Sequence, residues 1–159
     1  MKEMILADPI KEMTMILEKA LDAEVEVIGN LFSVKKFRTL VIQSDDAKFS
    51  FEMGCDITFQ TMLQSKMTIN KAEILLLPSE LSVFLSALIS QVNPLPNNYS
   101  QRLVVELSVY CLYLETQELP EPFAKRLAAS LKAIDGLPFP SEQPFCFSLP
   151  WTCAKANEQ

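Results

Sequence analysis

Few residues in this chain could do chemistry. Asp45, Asp46, Glu52 and Asp56 fall close together, and neighbouring carboxylates can hold a metal ion weakly or share general acid and base roles. Asp45 and Asp46 also fit a plainer role, because aspartate in a turn hydrogen-bonds its own backbone. Cys55 follows Gly54 and could act as a nucleophile if a lysine or a helix start lowered its pKa. The sequence shows no such arrangement, so a buried or incidental thiol is expected. The chain has no histidine, which removes Ser-His-Asp triads, Cys-His pairs and every His-ligated metal site. Its three glycines, Gly29, Gly54 and Gly136, are too few and too scattered for a phosphate cradle. Cys55, Cys111, Cys146 and Cys153 have no C-x-x-C spacing and read as reduced thiols, Cys111 packing as a small hydrophobe in an apolar run. Cys146 and Cys153 could pair in an oxidising setting. These patterns predict no catalytic residue, no metal and no cofactor, and a protein that is not an enzyme. A small enzyme using carboxylates or a lone cysteine is the least favoured alternative.

The elements that would position such residues are those of one domain. The 159 residues suffice to bury a core without disulfides or metal. An apolar fraction of 49% with 21% charged residues suits a globular protein. The net charge of −6 opposes binding to phosphate backbones, so no nucleic-acid partner is expected. Residues 1–30 hold seven acids against three lysines. Lys35, Lys36 and Arg38 then read as a solvated strand edge guarded by positive charge. No apolar run approaches a membrane span, and no export signal is visible. A cytoplasmic location is expected.

Asp8-Pro9 supplies an N-cap and a first helical proline, and Ile10, Met13, Leu17, Ala20 and Leu21 continue at helical spacing, which predicts a helix over 9–22. Gly29-Asn30 and Ser44-Asp45-Asp46 separate apolar runs as hairpin turns do. Phe49, Phe51 and Met53 alternate with Lys48, Ser50 and Glu52, and Gly54 is expected to end that strand. Residues 57–70 fit both periods and lean to strand; 73–78 reads as a short strand or a lead-in to the next helix. Leu81, Phe84, Leu85, Leu88, Ile89 and Val92 form a clear amphipathic helix from about Ser79 to before Asn93. Residues 100–117 hold many β-branched and aromatic residues, but their unbroken length decides for helix, with Arg102 and Glu106 as an i,i+4 pair. A third helix in this half runs from Pro120 to Asp135 on a stripe of Phe123, Leu127, Leu131 and Ile134, with Gly136 ending it. Segregated strands and helices predict an α+β fold: an N-terminal helix, an antiparallel sheet of three to five strands, then about three helices.

Residues 1–137 form the single domain in this reading, and 138–159 form a tail rich in proline and aromatics. Phe139, Phe145, Phe147 and Trp151 are too many apolar rings to leave in water, since burying one is worth about 2 kcal/mol. They pack back on the domain, where the alternation of "FCFSL" suits addition to a sheet edge, or they dock on a partner. The stripes containing Phe84 and Leu88, and Phe123 and Leu127, are expected to face their own core first and a partner groove second.

Size, acidity and element order over residues 8–135 resemble the bacterial type III secretion chaperones, a family without a diagnostic motif. The resemblance implies a dimer that wraps an extended, unfolded segment of a secreted protein over its apolar surface, without catalysis. The expected function is therefore protein binding, with another protein as partner in a homo- or hetero-oligomer. The alternative is an acidic immunity or inhibitor protein that binds a basic folded partner.

Overall fold

Asp8 starts helix α1, Pro9–Leu21: its carboxylate accepts from the Ile10 N–H at 3.1 Å, and Pro9 fills the first turn. The helix ends on Asp22 in the left-handed region (φ 53°), whose N–H bonds the Glu18 carbonyl. Glu18 also catches the departing chain, accepting from the Val25 N–H at 3.2 Å. The computed structural model describes residues 8–43, 47–106, 109–135, 145–148 and 152–153, with the backbone alone for 42–43, 49, 51, 145–148 and 152–153.

After α1 the chain makes four antiparallel strands: β1, Glu26–Ile28; β2, Leu31–Gln43; β3, Lys48–Thr61; and β4, Thr68–Leu76. Gly29, at φ +60°, makes the turn between β1 and β2 that other residues resist. Helix α2, Pro78–Ile89, follows, then β5, Ser100–Glu106, and β6, Val109–Glu118. Helix α3, Pro120–Asp135, precedes two short strands, β7, Phe145–Ser148, and β8, Thr152–Cys153. The sheet order is β1-β2-β3-β4-β6-β5, with β7 and β8 pairing to β2 on the side away from β3.

The fold is α+β, and the described residues form more strands than the three to five expected and one helix fewer. Residues 100–106 and 109–117 are not a helix. They lie in β5 and β6, paired from Ser100↔Glu115 to Glu106↔Val109. Arg102 and Glu106 therefore make no helical pair; the Arg102 guanidinium lies 4.0 Å from the centre of the Tyr113 ring on the next strand. Gly54 does not end β3, which runs on to Thr61 in register with β2 and β4. Residues 57–61 belong to β3 and 68–76 to β4, so both doubtful stretches are strand, broken by a loop in which Gln64 takes φ 59°.

One face of the sheet carries the core. Phe32 and Val34 of β2, Cys55, Ile57 and Phe59 of β3, Ala72, Ile74 and Leu76 of β4, and Leu112 and Leu114 of β6 are all buried under the helices. Leu17 and Leu21 of α1, Phe84 and Leu88 of α2, and Phe123, Leu127, Leu131 and Ile134 of α3 close that core from above. Phe59 and Phe123 meet edge to face, centroids 5.9 Å apart at 85°. Helix α3 packs between α1 and α2.

Two buried ion pairs fix α2 at its ends. Arg38 of β2 pairs with Glu80, whose carboxylate also accepts from the Leu77 N–H at 2.8 Å and so closes the first turn. Beyond the other end, Arg126 of α3 donates to the carbonyls of Asn93 (3.0 Å) and Pro94 (2.9 Å) while gripping Glu118. The basic run Lys35, Lys36 and Arg38 is thus not a solvated edge throughout. Lys35 is exposed, Lys36 donates to the Leu21 carbonyl at 2.9 Å, and Arg38 is fully buried.

Candidate functional site: an apolar groove beside the first helix

The apolar stripe on α1 is fully buried only in its second half. Leu17 and Leu21 are buried, but towards the N-terminus Ile10 is 49% exposed and Ile16 38%. Opposite them, Leu119, just before α3, is 48% exposed. Between these elements lies a groove of about 790 Å³, walled by Ile10, Met13 and Ile16 of α1 and by Leu119, Pro120 and Pro122 at the start of α3. Phe32 contributes to its lining, and the Gly29-Asn30 turn and Ser65-Lys66 form its rim. Asn30 secures that rim: its carbonyl accepts from the Thr61 N–H at 3.0 Å and its side-chain amide donates to the Thr61 carbonyl at 3.5 Å.

A buried polar network joins Thr68, on the lining of the groove, to β6 and α3. Arg126 donates to both oxygens of Glu118, at 2.7 and 2.8 Å. Thr116 donates to Glu118 at 2.9 Å, and Asn70 donates to the Thr116 hydroxyl at 3.1 Å and to the Glu118 carbonyl at 3.3 Å. The Thr68 hydroxyl donates to the Asn70 side-chain oxygen, and the Glu118 carbonyl lies 3.3 Å from the same hydroxyl. Each buried group here has a partner, as burial demands. The groove so framed offers apolar surface and few charges, Glu12, Lys66 and Glu121 among them. Such a surface receives apolar side chains.

The residues proposed from the sequence lie apart. Phe84, Leu88, Phe123 and Leu127 are buried in the core and have no surface for a partner. Phe145 and Phe147 lie in β7, where the register sets Phe147 opposite Val41 and Phe145 opposite Gln43. Phe139 and Trp151 lie outside the described residues, as do Asp45, Asp46 and Gly136. Cys146 sits opposite Ile42 and Cys153 opposite Lys36. That spacing along β2 is roughly 20 Å, too far for the two cysteines to form a disulfide.

Glu52 and Asp56 are exposed on the open face of β3, roughly 13 Å apart by strand geometry. Cys55 is buried, and that burial pushes its thiol up to about 12, away from the thiolate a nucleophile requires. Sequence reasoning missed Ile16 and Leu119 and placed Ile10 and Met13 only as part of the helical spacing of the first helix. The available signal was Leu119-Pro120, an apolar residue stranded between a strand and a helix start.

A second concavity, of about 430 Å³, lies on the open face of the sheet over β4, β6 and β5. It is polar, with Lys71, Glu73, Arg102 and Glu115 around Tyr113. Among the described residues no group of His, Cys, Asp and Glu is placed to hold a metal ion, and no helix is long and apolar enough to cross a membrane. Comparison with protein families, curated proteins and solved structures finds no match to this chain.

Proposed function

We propose that this protein is a non-enzymatic, cytoplasmic protein-binding domain that holds an extended segment of a partner protein, in the manner of a secretion chaperone, and that it works as an oligomer. The observation that carries the reading is the groove between α1 and the start of α3, where Ile10, Ile16 and Leu119 stay exposed. A volume of about 790 Å³ takes several side chains, and its apolar walls suit an unfolded segment better than a charged folded surface.

The test is capture of the partner from the native host, followed by limited proteolysis of the complex. The chaperone reading expects an extended, protease-sensitive segment that becomes protected, and loss of capture in Ile10→Asp and Leu119→Asp. A single folded basic protein, bound with strongly salt-dependent kinetics and indifferent to both substitutions, overturns it in favour of an acidic inhibitor.

A further inference from the structure

The two edges of the sheet are treated differently. The outer edge of β2 is covered by its own chain: β1 pairs with 31–33, β8 with 36–37 and β7 with 40–43. At the opposite edge, β5 pairs with β6 alone among the described residues. Its sequence, SQRLVVE, has no proline and no lysine to block further pairing. The helix-side residues Leu103 and Val105 are 39% and 57% exposed, and Arg102 and Glu106 are exposed on the other face. Helix α2 packs on β4 and β6, the strand next to β5, and carries Ile89, 65% exposed, with Val92 beyond it at 98%.

The geometry points to a second copy of this chain as the occupant of that edge, β5 pairing antiparallel with its own copy about a two-fold axis through Val104. This rests on the oligomer reading above and specifies its interface. The strand is self-complementary in that register alone: Arg102 falls opposite Glu106 of the second copy, Leu103 opposite Val105, and Val104 opposite itself. Centring the axis on Leu103 or Val105 instead separates Arg102 from Glu106. The pairing satisfies the edge backbone groups, joins the apolar residues on the helix side and matches opposite charges on the open side.

Sedimentation of the full chain tests the oligomer first, with a particle of twice 17.9 kDa expected. Arg102→Glu and Glu106→Arg then each place two like-charge pairs across the axis and should weaken the dimer roughly tenfold. An equimolar mixture of the two variants restores both opposite-charge pairs and should restore the dimer, as should the double exchange R102E/E106R. Independently, Val104→Cys in a Cys111→Ser background should join two chains through a short thiol cross-linker. A monomeric wild type overturns both the interface and the oligomer. A dimer indifferent to the single exchanges, not rescued by mixing, or not cross-linked at position 104 overturns this interface and leaves the oligomer standing.

Discussion

Arg126 holds Glu118 with two parallel hydrogen bonds of 2.7 and 2.8 Å, and both side chains lie almost wholly inside the protein. Two further guanidinium hydrogens reach the carbonyls of Asn93 and Pro94, so one side chain ties α3 to β6 and to the chain leaving α2. Removing one partner of a buried pair strands the other charge, at a cost of about 3–5 kcal/mol. Arg126→Met is expected to lose that much stability in urea unfolding. Arg126→Met with Glu118→Leu should lose less than the single change, because no charge is left unpaired. A double variant less stable than the single would show that the pair itself, and not the unpaired charge, sets the loss.

Core and groove should separate in mutagenesis. Leu127 is fully buried, so Leu127→Ala should cost about 2–5 kcal/mol. Ile10 and Leu119 are about half exposed, so Ile10→Ala and Leu119→Ala should change stability by well under 1 kcal/mol, as surface substitutions do. They should nevertheless weaken partner binding. Chemical denaturation of the three variants checks the first part and titration with the captured segment the second. Core-like losses at Ile10 would show that the groove wall is structural.

The sequence made α1, α2, α3 and the β2–β3 hairpin legible because each has a cap, a turn residue or a clean period. The failure at 100–117 has a physical cause. Alternation is present in Leu112, Leu114, Thr116 and Glu118, all buried, against Cys111, Tyr113, Glu115 and Gln117. But two of the inward residues are polar, and the break between β5 and β6 contains no glycine, proline or asparagine. The polar inward residues are the network that pairs with Arg126, a long-range arrangement that no local window can show. Arg38 is hidden likewise, since its burial depends on Glu80 of a helix forty-two residues on. The groove was illegible for a related reason: periodicity marks the apolar face of α1 but not which of its residues the rest of the fold leaves exposed.

The last strands should protect the sheet. With β7 and β8 gone, the outer edge of β2 loses its backbone partners at 36–37 and 40–43, leaving a ready template for pairing with other chains. A chain ending at Gly136 is expected to melt at a lower temperature and to scatter light increasingly with concentration. Unchanged melting and scattering would show that β7 and β8 contribute nothing to the edge.

Alkaline stability offers a test of the buried thiol. Burial raises Cys55 from 9.0 to about 12 and Tyr99 from 10.0 to about 12. Unfolded, these groups lose their protons near pH 9 and 10; folded, they keep them. Their contribution is therefore complete below pH 9 and falls as pH rises towards 12, because the folded state binds more protons than the unfolded state. Each group steepens the fall by at most about 1.4 kcal/mol per pH unit. Urea midpoints should drop between pH 8.5 and 10.5 in the wild type and drop less in Cys55→Ala, with Tyr99→Phe flattening only the upper part. Alkylation resolved by mass should leave Cys55 unmodified until the protein unfolds. Parallel pH slopes in wild type and Cys55→Ala, or ready alkylation of Cys55 in the folded chain, would place that thiol in contact with water.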